Sequence, residues 1–232
     1  MHPLDNPAWT ALTTHQAPLA LGEGMARRFP PEMSMFGALA LLLPPAWASL
    51  ARLSPAPVGL LSPQPLLLPA GWSVTRHVEL VQMVREDPGD GQSATTRPAK
   101  RELQILELTE ADVADMSLLY EATRPGRKIC PRIQKLGTFL GIRSEGKLVA
   151  MGGLRMHLPG YHEITTVATM PGHEGNGYAT QLVGDLVRRI REHSERPFLT
   201  VRTDNARAIA IYERLGFRER RQLYSTTVTS SN

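Results

Sequence analysis

At 232 residues and 42% hydrophobic content, the chain has the size of one large or two small globular domains and enough apolar side chains to bury a core. Its single cysteine, Cys130, excludes an internal disulfide framework, fits a reducing setting and reads as an inert small side chain before a reactive thiol. The formal charge of +4 arises after residue 100, and no basic run interleaved with aromatics argues for a nucleic-acid partner.

The opening Met1-His2-Pro3-Leu4-Asp5-Asn6-Pro7 has neither the basic start nor the apolar core of an export signal, so a cytoplasmic location is expected. The most apolar stretch, Met35 to Leu43, is far shorter than the ~20 residues of a membrane span and stops at Pro44-Pro45, so no span is expected. Twelve of the nineteen prolines precede Ala70, which excludes long helices there. Between them lie short apolar pieces at Leu19–Leu21, Val58–Leu61 and Leu66–Leu68, then a strand-like Trp72–Val84. Residues 1–85 are expected to form a small mixed α/β domain of their own, and the turn-forming, polar stretch 86–102 a linker to a second domain, 103–232.

Past the linker, strands and helices alternate. Strands are expected at Gln104–Leu108, Thr138–Arg143, Leu148–Met156 and Tyr161–Thr169, with a turn at Ser144-Glu145-Gly146-Lys147. A helix is expected over Glu110–Thr123, where Val113, Met116, Leu119 and Tyr120 recur at helical spacing. A second, Gly177–Arg191, puts Leu182, Val183, Leu186, Val187 and Ile190 on one face. A strand at Phe198–Thr203, a helix at Asn205–Leu215 closed by Gly216, and a strand around Leu223–Val228 complete the series.

Between Thr169 and the helix at Gly177 runs Met-Pro-Gly-His-Glu-Gly-Asn-Gly-Tyr-Ala-Thr, a glycine-spaced turn feeding a helix N-terminus. Glycines let backbone N–H groups approach an anion, and the helix end adds unpaired donors and a positive dipole. Taken alone, the turn is as compatible with close packing as with phosphate binding. Absence of a Gly-Lys-Ser/Thr continuation excludes a Walker A loop.

Two motifs in order resemble the GCN5-related N-acetyltransferase (GNAT) family. Its signature Gln/Arg-x-x-Gly-x-Gly/Ala matches Glu174-Gly175-Asn176-Gly177-Tyr178-Ala179 except at the first position. Its motif Asn-x-x-Ala-x-x-x-Tyr-x-x-x-Gly-Phe is complete in Asn205, Ala208, Tyr212, Gly216 and Phe217. The resemblance covers about residues 104–232 and looks most like the FR47-like branch. It implies an acyl-CoA N-acyltransferase fold of mixed α/β (α+β) class, a mixed central sheet flanked by helices; the length and mixed strand pattern of the N-terminal half are compatible with a degenerate copy of that fold and equally with a lid.

The resemblance also implies acetyl-CoA as acyl donor, an amine acceptor of unidentified kind and no metal. Val167, Ala168 and Thr169 would offer main-chain groups to the pantetheine arm; Glu174, Gly175, Asn176, Gly177, Tyr178, Ala179 and Thr180 would hold the pyrophosphate. Asn205 and Ala208 would contact the CoA arm, and Tyr212 would protonate the departing thiolate. A phenol of pKa ~10 suits that role, although the same tyrosine is also a natural packing residue beside Ile211 and Leu215. Glu163 is the candidate base, on the strand leading to the CoA site, with strand alternation aligning it with Thr165 and Val167; a solvated surface carboxylate is the competing reading. His157 and His162 are weaker candidates, each equally readable as a loop histidine. Glu174 stands where the family has Gln or Arg, a penalty on the order of 1 kcal/mol to an adjacent pyrophosphate unless its side chain turns away. Acyl-CoA binding without catalysis is the alternative to transfer.

Overall fold

The computed structural model describes residues 2–53, 56–86 and 104–230. In chain order these form α1 (Pro7–Thr13), β1 (Ala26–Arg28), β2 (Gly37–Leu39), α2 (Pro44–Ala51), β3 (Val58–Ser62) and β4 (Trp72–Arg85). Then follow β5 (Ile105–Leu108), α3 (Val113–Thr123), β6 (Phe139–Ser144), β7 (Lys147–Leu158), β8 (Tyr161–Thr169), α4 (Tyr178–Glu192), β9 (Arg196–Arg202), α5 (Ala206–Arg214) and β10 (Phe217–Ser230). β1 and β2 pair as a small ribbon, and the other strands form one eight-stranded sheet in the order β3-β10-β4-β9-β8-β7-β6-β5. Neighbours are antiparallel except β8 and β9, which run parallel.

Two cores cover the two faces. On one, α4 lays down Leu182, Val183, Leu186, Val187 and Ile190, all at most 3% exposed, against Leu140, Val149, Ile164, Leu199 and Val201. Each such burial stabilises by about 1.5–3 kcal/mol, which is why a helix of this pattern docks on a sheet. On the other face, Leu4, Leu12, Phe29, Met33 and Phe36 of the N-terminal segment join Met116 and Leu119 of α3 and Phe139, Met151, Phe198 and Leu223 of the sheet.

This arrangement corrects the expected separate domain at residues 1–85. β4 lies between β9 and β10 and pairs with both, from Leu80↔Arg202 to Val84↔Phe198 and from Phe217↔Arg85 to Ser230↔Trp72, while β3 edges the sheet through β10. The N-terminal half is therefore built into the sheet rather than beside it, and among the described residues no second copy of the fold is formed. Of the expected linker, 87–102 lies outside the described residues. Side chains reinforce the union: Gln82, fully buried, donates to Leu4 O at 3.0 Å and accepts from Arg220, which pairs with Asp5 at 2.6 Å.

The remaining expected elements match within a few residues, apart from the last strand. It begins at Phe217 rather than near Leu223 because the charged run Arg218–Gln222 hides it; a bulge between Glu219 and Arg221 accommodates Arg220 there.

Candidate functional site

β8 and β9 pair only from Tyr161↔Arg196 to Ile164↔Leu199, after which they part. The cause is a bulge: between Gly153↔Thr165 and Met151↔Ala168, β8 spends one residue more than β7, and Thr166 adopts φ 56°. A β-branched residue in the left-handed region costs roughly 1–2 kcal/mol, held in place by regular pairing on either side. β9 meanwhile stays on β4 to Arg202, leaving a wedge between Thr165–Thr169 and Thr200–Arg202.

A cavity of about 1070 Å³ occupies this wedge. From the α4 and α5 side it is lined by Tyr178, Ala179, Thr180, Ala208, Ile211 and Tyr212. From the other it is lined by Met33–Phe36, Tyr120 of α3 and the segment after α3 that includes Arg124, Arg127 and Lys128. The space thus reaches both faces of the sheet through its split.

At the open end of β8 lies the glycine turn. Gly175 and Gly177 have φ 82° and 79° with nothing within 4 Å of an added Cβ, so backbone conformation and not crowding calls for glycine. Gly177 is the N-cap of α4 without a side-chain cap bond, so the first-turn N–H groups are left for an outside acceptor. The Glu174 carboxylate turns back, accepting from Gly172 N at 2.7 Å, and backbone hydrogen bonds hold its pKa below the usual range. Asn176 shapes the turn by donating to His173 O at 3.0 Å and does not line the cavity.

α5 closes the wedge. Asn205 is its N-cap, Oδ1 accepting from Ala208 N at 3.1 Å, so this side chain is committed to the helix as well as lining the cavity. Tyr212 is 9% exposed, edge-on to Phe217 with ring centroids 6.0 Å apart. Burial pushes its phenol up to about 12, with the positive charge of Arg124 opposing the rise. Its hydroxyl makes no hydrogen bond to the described residues.

Of the expected site residues, Val167, Ala168, Thr169, Glu174, Gly175, Gly177, Tyr178, Ala179, Thr180, Asn205, Ala208 and Tyr212 all line the cavity. Glu163 does not. It is 1% exposed and both carboxylate oxygens are taken by Arg155, Nε at 2.9 Å and Nη2 at 2.6 Å. The bulge at Thr166 breaks the alternation that aligned Glu163 with Val167, and Glu163 stands instead as the partner of Arg155, off the cavity wall. Arg155 in turn stacks over Phe36 at 4.5 Å and lines the cavity. Gln16 secures the adjoining β7 bulge, donating to Arg155 O at 2.7 Å and accepting from His157 N.

His157 and His162 sit outside the cavity, stacked with centroids 4.4 Å apart; His157 Nε2 lies 2.6 Å from Glu195. Burial, assisted by the neighbouring His157, drives the His162 imidazole down to about 3.

The sequence reading missed Arg124, whose Nη2 donates to Val167 O at 3.1 Å and whose guanidinium lies 4.9 Å over the Tyr120 ring. It also missed Met33–Phe36. The basic run Arg124-Pro-Gly-Arg-Lys128 was a signal for the first; nothing local marked the second.

Comparison with known proteins agrees with this geometry. The family model described as FR47-like protein matches residues 139–226. A crystal structure of a protein assigned to the GNAT family of acetyltransferases, from Novosphingobium aromaticivorans, superposes with a TM-score of 0.86 at 34% identity, covering 100% of both chains. An uncharacterised protein of Mycobacterium leprae is 28% identical over 173 residues, 70% of this chain and 45% of its own. The N-alpha-acetyltransferase RimI of Mycobacterium tuberculosis is 34% identical over 92 residues, 37% of this chain and 57% of its own. The chain thus spans about half the length of the curated relatives it matches. The likeness to the Novosphingobium protein spans both chains from end to end, and the chain belongs to the GNAT family of acetyltransferases.

Proposed function

We propose that the protein transfers the acetyl group of acetyl-CoA to a primary amine by direct attack, in the cytoplasm. The observation that carries the reading is the parting of β8 from β9 after Ile164↔Leu199, which opens a strand edge beside the glycine turn and the buried phenol of Tyr212.

The residues fit the donor. Val167–Thr169 are a strand segment released from β9, suited to pair with the amides of a pantetheine arm. Gly175–Thr180 supply the N–H groups of a pyrophosphate cradle, with Arg207 beside it on the cavity wall. Acetyl-CoA would bring a thioester whose carbonyl carbon takes the amine and whose sulfur leaves as thiolate.

Main-chain N–H groups along the wedge polarise the carbonyl, and Tyr212 hydrogen-bonds the sulfur as negative charge develops and gives it a proton. Among the described residues Glu174 is the one carboxylate on the cavity wall, and it is folded onto Gly172. The acceptor therefore reacts as the free amine and sheds its proton to water. Arg124, Arg127 and Lys128 favour that form, since positive neighbours disfavour an ammonium. Burial raises the Cys130 thiol pKa, which disfavours a thiolate there.

The commitment of Glu163 to Arg155 also favours acyl-CoA binding without transfer as a second reading. Calorimetry with acetyl-CoA and thiol release on adding amines separate the two. Binding with transfer supports the enzyme, binding without transfer to any amine supports the second reading, and no binding at sub-millimolar concentration rejects both.

A further inference from the structure

On the side of the cavity away from α4 and α5, the wall is cationic. Arg76 of β4, Arg124 at the end of α3, and Arg127 and Lys128 in the following loop all line it. Several arginines elsewhere are matched with acids, among them Arg143 with Asp112, Arg189 with Asp185 and Arg220 with Asp5, whereas others, such as Arg27 and Arg28, spend their donors on backbone carbonyls. The four wall cations form no ion pair with any described residue. Arg127 reaches only the Met35 sulfur at 3.8 Å, and Arg124 spends its hydrogen bonds on Val167 O and Thr123 Oγ1.

The four charges are not explained by the donor's phosphates. The phosphate cradle is the turn before α4, with Arg207 and Arg214 on α5, on the other face of the sheet. The wall cations instead keep company with Met35, Tyr120, Val78 and Cys130, which pack on the core of the N-terminal face. Arg124 ties them to the reaction centre: it is bonded to the strand where the wedge opens and acts electrostatically on Tyr212. Cations without counter-charge on a cavity wall, next to where an amine must stand, call for an anion on the amine's own molecule.

We propose that the acceptor is a small amine bearing an anionic group, carboxylate or phosphate, held by Arg76, Arg124, Arg127 and Lys128, with an apolar portion against Met35 and Ile129. The proposal rests on the acetyl-transfer reading and adds the substrate class to it. An arginine or lysine wall of this kind discriminates for the anion by about tenfold or more, expressed mainly in KM, because the contact is the same before and during transfer.

The test pairs amines that differ in the anion: phenylalanine against phenethylamine, and phosphoethanolamine against ethanolamine, the two pairs separating a carboxylate from a phosphate preference. The expected result is a kcat/KM at least about tenfold higher for the anion-bearing member of one or both pairs. In Arg127→Met/Lys128→Met the preference should fall towards unity while acetyl-CoA binding by calorimetry is unchanged, and Arg127→Lys/Lys128→Arg should restore it. A binding readout runs in parallel: CoA-saturated protein should bind N-acetylphenylalanine or N-acetylphosphoethanolamine more tightly than the uncharged counterpart. Equal or better use of the amines that lack the anion, or equal binding of the acetylated pairs, overturns this proposal alone. Failure to bind acetyl-CoA overturns the acetyl-transfer reading, and this one with it.

Discussion

Replacing Tyr212 by Phe isolates one oxygen. The ring stays against Phe217, and the hydroxyl it loses has no hydrogen-bond partner among the described residues, so folding should be nearly indifferent, with a stability change within about 0.5 kcal/mol. Turnover should not be indifferent. Deletion of one preorganised donor to developing negative charge in a water-poor site costs about 10²–10³ in kcat, or roughly 2.7–4 kcal/mol. Because the bond forms only as the sulfur becomes charged, kcat and kcat/KM should fall together and acetyl-CoA binding should hold. The phenol, pushed up to about 12 by burial, keeps its proton well into the alkaline range. Its activity is lost only as pH rises through that value, so the parent should show no alkaline decline from this group up to about pH 10. A continuous thiol-release assay with acetyl-CoA and a saturating amine measures all of this. A variant with kcat within about threefold of the parent would refute the acid role.

Glu163→Gln should act on stability. It removes the charge that pairs with a largely buried arginine and should cost about 3–5 kcal/mol in urea denaturation, while a volume-matched apolar pair at 155 and 163 recovers most of it. An unchanged melting curve with a hundredfold-scale loss of kcat, on the order of 2.7 kcal/mol, would instead return Glu163 to the role of base. Gly177→Ala forces a Cβ into φ 79° and should cost about 1 kcal/mol while weakening acetyl-CoA binding by calorimetry; unaltered affinity would count against the cradle. His162 is neutral when folded down to about pH 3, whereas unfolded it takes up a proton near 6.5. Protonation therefore favours the unfolded chain, and stability should decline as pH drops below about 6.5, by about 2 kcal/mol at pH 5, and level off near 3. His162→Phe should flatten that profile in denaturant titrations; an equally steep profile in the variant would remove His162 as its source.

The catalytic-side motifs were legible because they depend on local backbone demands. Gly175 and Gly177 are marked by left-handed conformation, Asn205 by helix capping, and α4 by the 3.6-residue recurrence of its five buried aliphatics, all properties that neighbouring residues set among themselves. Twelve of the expected cavity residues fell on the wall for that reason. Glu163 misled because strand alternation was taken as unbroken, whereas a bulge at Thr166 intervenes, and no residue type announces a bulge at a threonine.

What the sequence by itself determined is the order of elements, the anion-ready turn, the capped α5 and the amphipathic α4, each a matter of contacts within a few residues. What only the tertiary structure decided is the pairing of β4 between β9 and β10, the union of both halves in one sheet, the Arg155–Glu163 pair and the assembly of Arg76 with Arg124, Arg127 and Lys128. Those rest on long-range strand register and on which buried charges find partners, and residues far apart in the chain carry no local mark of the neighbours that folding gives them.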